Sequence, residues 1–154
     1  MSRGRLLYIT RKARFSASHR YYNPAWSEGK NREVFGPSSS PFGHGHNYEV
    51  EVTVAGEVDP ETGMVLNLRE IDEILQEEVI SRLDFRHLNE ELPEFKNRQP
   101  TTENIAISIW ERLVPRLRKR GSRLYRVRVY ESPDLYAEYL GEVDPKGTEK
   151  RGSP

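Results

Sequence analysis

Cysteine is absent from this chain of 154 residues. Its absence excludes disulfides, a cysteine-ligated zinc site and a cysteine nucleophile. An excess of charge is also absent, because 24 lysines and arginines balance 24 aspartates and glutamates. A chain without net charge gives no electrostatic reason to expect nucleic acid or an anionic membrane surface as its partner.

Long apolar runs are missing too. No segment is long enough to span a bilayer, and the N-terminal residues contain no signal-peptide core, so we expect a cytoplasmic protein. Hydrophobic residues make up 35% of the chain, which gives a small core, and oligomerisation is one way to bury more apolar surface. We expect one domain over residues 1–142 and a disordered tail over the polar residues 143–154.

Histidine is rare, but three of the four histidines stand in two short segments. His44 and His46 precede an alternating run, and residues two apart in a strand point to the same face. With His19 from a neighbouring strand they suit a tetrahedral zinc ion whose fourth position is open, as in catalytic zinc sites. The alternative is that these histidines cap turns or pack at a sheet edge.

The hydrophobic pattern predicts four strands and two amphipathic helices in the order β-β-α-α-β-β. The strands are expected at Leu6 to His19, His46 to Gly56, Leu124 to Glu131 and Leu135 to Gly141. The helices are expected from Asn67 to Leu83 and from Thr101 or Thr102 to Gly121. Residues 21–42 and 84–99 show no period and are interpreted as loops. This order favours an α+β fold, an antiparallel sheet with helices on one face.

A metal-assisted reaction also needs a proton carrier. Asp84 and His87 are candidates, because a histidine oriented by an aspartate acts as a general base near neutral pH. A helix-terminating Asp84 and a surface His87 are the alternative interpretation. Glu103 and Glu131 are further carboxylates of interest, since a carboxylate accepts two parallel N–H bonds from a guanidine-like edge. For Glu103, stabilisation by the helix dipole is a sufficient explanation.

Together these segments resemble the 6-pyruvoyltetrahydropterin synthase and 6-carboxytetrahydropterin synthase family. The resemblance runs from about Phe15 to Gly141. Its landmarks are Phe15-Ser16-Ala17-Ser18-His19, Gly43-His44-Gly45-His46-Asn47-Tyr48, Asp59-Pro60-Glu61-Thr62-Gly63-Met64-Val65, Leu83-Asp84, Thr101-Thr102-Glu103-Asn104 and Tyr130-Glu131.

The resemblance implies the tunnelling fold, a four-stranded antiparallel sheet with two helices on one side, assembled into trimers that stack into hexamers with sites between subunits. It implies 7,8-dihydroneopterin triphosphate as the substrate and zinc as the metal. The zinc would bind the substrate's side-chain hydroxyls and acidify the protons that move. Its ligands would be His19, His44 and His46. The pterin edge would be held by Glu131, helped by Thr101, Thr102 and Glu103.

The chain departs from this family at the proton carriers. Ser38 stands where family members usually have a cysteine, and a serine hydroxyl is a far poorer base than a thiolate. Phe85 stands where the family has a histidine after Asp84. If residues 84–87 are extended, His87 shares a face with Phe85 and takes the role of that histidine.

Three outcomes follow from these departures. The chain is a zinc-dependent lyase of the family in which His87, Asp84 or Glu33 supplies the base. Or it cleaves the same substrate in an aldolase-type reaction of folate synthesis. Or it is a zinc-loaded pterin-binding protein without turnover. A zinc hydrolase acting on another ring is a rival from a different class. The sequence leaves open whether the pathway serves queuosine, biopterin or folate.

Overall fold

Two long antiparallel strands, β1 (Leu6–His19) and β2 (His44–Glu57), form the centre of the sheet. The computed structural model describes residues 4–118 and 122–142. The other elements are α1 (Glu28–Phe35), a 3-10 turn (Gly36–Ser39), α2 (Leu68–Leu75), a π-helical turn (Gln76–Ile80), α3 (Ser81–Leu83), β3 (Arg86–His87), α4 (Leu88–Glu91), a 3-10 turn (Pro93–Phe95), α5 (Thr102–Arg118), β4 (Arg123–Ser132) and β5 (Leu135–Tyr139).

The sheet has five strands in the order β3-β1-β2-β4-β5. Strands β1, β2, β4 and β5 pair antiparallel, as the sequence predicts. The fifth strand was not predicted: β3 is two residues long and pairs in parallel with Ala17 and Ser18 of β1. It lies within a stretch interpreted as a loop, and two residues are too few to show a period.

The apolar core lies between one face of the sheet and the helices. Val50, Val52 and Val54 alternate along β2, and all three are fully buried. The predicted stripe of α5 is buried as well, at Ile105, Ile109, Leu113 and Leu117, together with Ile71, Ile74 and Leu75 of α2. The β-β-α-α-β-β order and the placement of both predicted helices against one sheet face are therefore confirmed.

The opposite face of the sheet is polar. Glu51 of β2 is buried there and lies within 3.4–3.7 Å of the cationic atoms of Lys12, Arg126 and Arg128. A buried carboxylate needs such partners, because an unpaired charge is costly to remove from water. Strand β2 is thus buried on both faces. Apolar side chains cover one face, and ion pairs cover the other.

The two main helices begin where the sequence predicts. The side chain of Asn67 accepts a hydrogen bond from the Arg69 amide at 3.0 Å and caps α2. Thr101 Oγ1 accepts from the Asn104 amide at 3.2 Å and caps α5. The helix predicted over residues 67–83 contains the π-helical turn before its last turn, α3.

Both stretches interpreted as structureless contain regular elements. Residues 21–42 hold α1 and a 3-10 turn, and residues 84–99 hold β3, α4 and a second 3-10 turn. The predicted end of the second helix at Gly121 and the predicted tail at residues 143–154 lie outside the described residues. Within the described part of the chain, no helix has the length and apolarity that crossing a membrane requires.

Candidate metal centre and ring-binding carboxylate

The three predicted metal ligands converge at one end of the central strand pair. His19 is the register partner of His44, and His46 follows two residues along β2 on the same face. Each histidine offers a ring nitrogen, and the three nitrogens lie within 4.8 Å of one another. The Nε2 atoms of His19 and His44 are 3.0 Å apart. The strand period thus produces a compact set of three nitrogen donors.

The donor set fits a zinc ion. Four ligands at a Zn–N distance of about 2.0–2.1 Å place their nitrogens roughly 3.4 Å apart, and the three histidine nitrogens, with one pair at 3.0 Å and all within 4.8 Å, are close enough to reach one ion. Nε2 of His46 is buried and has no hydrogen-bond partner among the described residues, as expected of an atom that coordinates a metal. Burial lowers the pKa of His19 to about 4 and also lowers that of His44, so both are neutral ligands at pH 7.

Two groups behind His19 fix its ring. Nδ1 of His19 lies 2.8 Å from the carbonyl oxygen of Pro100, so Nδ1 carries the proton and Nε2 presents its lone pair. The hydroxyl of Tyr48 lies 3.3 Å from the same Nδ1. Tyr48 continues the His44–His46 period by one more step and is buried. Neither Pro100 nor Tyr48 was predicted from the sequence to have a role in the site.

Glu131 lies beside the histidines, at the end of β4. Its Oε2 accepts a hydrogen bond from Thr102 Oγ1 at 2.7 Å and a long one, at 3.5 Å, from the hydroxyl of Tyr21. Its Oε1 lies 3.3 Å from Nε2 of His46 without hydrogen-bond geometry. The predicted ring-binding carboxylate and the predicted metal ligands therefore form one site within one chain.

The other two predicted substrate-binding residues flank this carboxylate without contacting it by hydrogen bonds. Thr101 uses its hydroxyl to cap α5, and Glu103 is exposed in the first turn of that helix. Glu103 is close enough to Tyr21 to contribute to the raised pKa of its hydroxyl, after burial and Glu131.

A short segment, interpreted from the sequence mostly as part of a loop, brings Tyr21 to the site. Residues 20–23 follow β1, and three carboxamide side chains bind their backbone. Asn89 bonds to the N–H and C=O of Arg20, Gln99 to those of Tyr22, and Asn31 to those of Asn23, at 2.7–3.0 Å. We call these the three amide contacts. They hold residues 20–23 in place through the backbone.

Comparison with known proteins agrees with this site. A family model described as 6-pyruvoyl tetrahydropterin synthase matches residues 8–142. The chain belongs to this family. The 6-pyruvoyl tetrahydrobiopterin synthase of Drosophila melanogaster is 41% identical over 147 residues, covering 96% of this chain and 87% of that protein. The Homo sapiens protein of the same name is 42% identical, covering 87% and 91%.

The solved structures agree as well. The 6-pyruvoyl tetrahydropterin synthase of Caenorhabditis elegans superposes with a TM-score of 0.86 at 34% identity, covering 92% of this chain and all of that one. The mixed α+β architecture is therefore the tunnelling fold of the 6-pyruvoyl tetrahydropterin synthase family. The short strand β3 is an addition to the four-stranded description.

The candidate proton carriers of this family member lie in different places. A Cβ atom on Gly43 would be 3.2 Å from Nε2 of His87, so His87 lies beside the residue that precedes His44. Nδ1 of His87 is buried and has no hydrogen-bond partner among residues 4–118 and 122–142. Oδ1 of Asp84 accepts the Ser16 amide at 2.8 Å, which joins Asp84 to the edge of β1.

The remaining two candidate proton carriers, Ser38 and Glu33, lie between β1 and β2 in the chain. The Ser38 carbonyl accepts the Tyr21 amide at 2.9 Å, which places Ser38 next to the site through its backbone. Glu33 is exposed on α1.

The condition that residues 84–87 are extended is not met at Phe85. Phe85 has a φ of 58°, in the left-handed region that bulky residues rarely occupy, and it is 87% exposed. Its amide donates to the Ser16 carbonyl at 2.7 Å, which holds the turn. Because the chain turns here, the argument that His87 takes the place of a histidine at position 85 by sharing its face does not hold. Any role of His87 rests on its own position beside Gly43.

Proposed function

We propose that this chain is a zinc-dependent lyase that acts on 7,8-dihydroneopterin triphosphate. One observation carries the proposal: Nε2 of His46, one of three converging histidine nitrogens, lies 3.3 Å from the carboxylate of Glu131. A metal centre and a carboxylate for recognition of a heterocyclic edge are thereby adjacent, in a chain that belongs to the 6-pyruvoyl tetrahydropterin synthase family.

His19, His44 and His46 would hold the metal. When bound, zinc supplies a Lewis acid that lowers the pKa of a coordinated substrate hydroxyl. The chain contributes the orientation of the ligands. The Pro100 carbonyl keeps the proton of His19 on Nδ1, and burial keeps His19 and His44 neutral, so no proton must be displaced from these two ligands at pH 7.

Glu131 would recognise the pterin ring. The 2-amino group and the N3–H of a pterin present adjacent donors on one edge, which match the acceptor geometry of a carboxylate. Thr102 holds one carboxylate oxygen at 2.7 Å and so limits its rotation. Thr101 and Glu103, on either side of Thr102 at the start of α5, would help to hold the ring.

His87 is our first choice for the proton carrier, ahead of Asp84, Ser38 and Glu33. It lies beside Gly43, and its Nδ1 lacks a partner in the described part of the chain. Asp84 already accepts the Ser16 amide, and Glu33 is on an exposed helix. Replacing His87 with Ala should reduce kcat by roughly a hundredfold or more. Unchanged turnover in that variant would exclude His87.

A family reaction that eliminates the triphosphate without cleaving the side chain would release inorganic triphosphate alone, and one that also breaks the side-chain carbon–carbon bond would release acetaldehyde as well. We propose triphosphate release without acetaldehyde, because the relatives described above carry the 6-pyruvoyl name. Incubating the zinc-loaded protein with 7,8-dihydroneopterin triphosphate and assaying both products tests this directly. Acetaldehyde, or release of a hydroxymethylpterin, would refute the proposed bond cleavage and retain the substrate.

The second candidate function is pterin binding without turnover. Ser38 and the exposed, left-handed Phe85 favour it, because a thiol and an imidazole are the groups that the resemblance leads one to expect at these positions. Tight binding of the substrate without any product would support this candidate. A Ser38→Cys variant that gains turnover, compared with Ser38→Ala, would then identify the missing group.

We also propose a homo-oligomer, a trimer or hexamer. Two edges of the sheet support it: β1 pairs with β3 at Ala17 and Ser18 alone, and β5 is the last strand on the other side. Exposed apolar residues follow both edges, at Leu6, Leu7 and Tyr8 and at Leu135 and Tyr136. Such edges favour pairing with another chain. Light scattering after size exclusion measures the assembly, and a monomer at micromolar concentration would contradict it.

A further inference from the structure

Tyr21 has a place in the site that no sequence motif predicted. Its ring centroid lies 4.9 Å from that of His19, 6.3 Å from that of His44 and 5.9 Å from that of Phe35. Its hydroxyl lies 3.5 Å from Oε2 of Glu131. The side chain therefore bridges the two halves of the site, with its ring against the metal ligands and its hydroxyl on the carboxylate.

The position of Tyr21 is fixed by backbone contacts on every side. The three amide contacts bind Arg20, Tyr22 and Asn23, and the Tyr21 amide itself donates to Ser38. A side chain that extends from a segment held in this way loses little further conformational entropy when it takes up a functional orientation. The orientation of Tyr21 is thus largely fixed before any ligand binds.

We propose that Tyr21 is a positioning residue that sets the orientation of Glu131 for the heterocyclic ring. This inference rests on the proposed function, since it specifies how that ring is recognised. A protonated phenol donates to a carboxylate, and Thr102 donates to the same oxygen, Oε2. The two hydroxyls together limit the rotation of the carboxylate, so its orientation toward the ring donors is set before a ligand binds.

The role of Tyr21 is distinct from that of a metal ligand. The hydroxyl does not contact the histidine nitrogens through any hydrogen bond among the described residues, whereas the ring packs against them. Removing the hydroxyl while keeping the ring should leave the metal centre intact. It should allow the carboxylate to rotate about the remaining Thr102 bond, and ring binding should weaken.

Tyr21→Phe tests this separation, with Tyr22→Phe as the matched control. The control makes the same chemical change one residue along, where the ring stacks on Arg20 and the hydroxyl makes no hydrogen bond to Glu131 among the described residues. The probe is 7,8-dihydroneopterin, which lacks the triphosphate, titrated into zinc-loaded protein. We expect Tyr21→Phe to bind it roughly three- to tenfold more weakly, the effect of losing one hydrogen bond of ordinary net strength, because the contact of the hydroxyl with Glu131 is long, at 3.5 Å. Tyr22→Phe should bind like the wild type, and zinc affinity should be equal in all three proteins.

A double-mutant cycle with Glu131→Gln identifies the partner of the hydroxyl. If Tyr21 acts through Glu131, adding Tyr21→Phe to Glu131→Gln costs no further affinity, measured up to millimolar ligand. In turnover, Tyr21→Phe should raise KM and leave kcat within about twofold, since the interaction is made equally in ground and transition states. A purely structural role would lower stability or zinc affinity instead.

The outcomes distinguish a failure of the proposed function from a failure of the proposed role of Tyr21. Wild-type protein that does not bind 7,8-dihydroneopterin overturns the proposed function and this inference with it. Wild-type binding that Tyr21→Phe leaves unchanged overturns the inference alone. An equal loss of affinity in the wild-type and Glu131→Gln backgrounds also overturns it, because the hydroxyl then acts without Glu131.

Discussion

Nδ1 of His19 lies 2.8 Å from the carbonyl oxygen of Pro100, a residue 81 positions later in the chain. The peptide that orients this predicted metal ligand directly precedes Thr101, the cap of α5, and Thr102, the partner of Glu131. The proposed metal centre and the proposed ring-binding carboxylate therefore depend on one short segment. A displacement of that segment would disturb both together.

The metal centre leads to the first prediction. Wild-type protein should bind about one zinc ion per chain, and His46→Ala should lose at least a hundredfold in zinc affinity, because losing a ligand costs more than losing a group that only orients a ligand, which costs about 10–100-fold. His87→Ala is the matched control, since His87 is the one histidine of the sequence outside the trio. Calorimetric titration measures both, and equal losses in the two variants would contradict the assignment.

Gly43 gives a prediction about the backbone of the site. Its φ of 70° is left-handed, and an added Cβ would lie 3.0 Å from the His19 carbonyl oxygen and 3.2 Å from Nε2 of His87. Gly63 has a φ of 72° with open space around it. Gly63→Ala should therefore cost about 1 kcal/mol of unfolding free energy through backbone strain alone. Gly43→Ala should cost more and also weaken zinc binding. Denaturant unfolding and zinc titration of both variants decide this, and identical behaviour would refute it.

Asn31 is expected to be important for stability although it lies on a short polar helix. It is buried, and its side chain contacts four backbone groups: it accepts from Asn23 N–H and donates to the carbonyls of Asn23, Trp26 and Ser27. Asn31→Asp keeps the shape and the acceptor but removes the donors. We expect a loss of about 1–3 kcal/mol in unfolding free energy. Lys30→Gln, on the exposed side of the same helix, should change it by less than about 0.5 kcal/mol.

Glu94 provides a prediction about pH. Burial acts to raise the pKa of its carboxyl, but the Arg112 guanidinium and the Ser108 hydroxyl outweigh burial, and the pKa lies below the ordinary value of 4.5. As the pH falls, the Glu94 carboxylate therefore becomes protonated at a higher pH in the unfolded state than in the folded state. The stabilisation by Glu94 is present above about pH 4.5 and is lost below it.

The variant Glu94→Gln measures this contribution. The gap in unfolding free energy between wild type and variant should be about 1–2 kcal/mol at pH 7 and should shrink as the pH falls below 4.5. Glu111→Gln, which removes an exposed carboxylate 3.8 Å from Arg98, should show little gap at either pH. A gap for Glu94→Gln that stays constant with pH would show that the carboxylate charge does not matter.

The sequence was most informative where one periodicity governed a long element. The alternation of β2 predicted that His44 and His46 share a face, and the register with β1 adds His19. The 3.6-residue stripe of α5 predicted its buried face in full. Helix α1 was missed for a physical reason: its single buried residue is Asn31, so it has no apolar stripe to detect. It is held by side-chain hydrogen bonds to a loop.

The contacts that complete the site were not predictable because they join distant segments. Pro100 and Tyr21 show no local signal for their roles, since each depends on which segment lies opposite in the fold. Tyr48 did carry a signal, as the next same-face residue after His46, and that signal was not used. The turn at Phe85 was not predicted, because its left-handed backbone conformation depends on a hydrogen bond to β1. A bulky residue gives no sign of such a conformation in the sequence.

The three amide contacts have a consequence for how this protein can change. They bind main-chain atoms of Arg20, Tyr22 and Asn23, so the backbone on both sides of residue 21 is held without help from the side chain at that position. Single substitutions at position 21 can therefore alter the contents of the site while the scaffold stays folded. Natural variation or directed evolution can therefore change ligand preference by substitutions at position 21. Exchanges of Asn31, Asn89 or Gln99 would remove the contacts that make such substitutions tolerable.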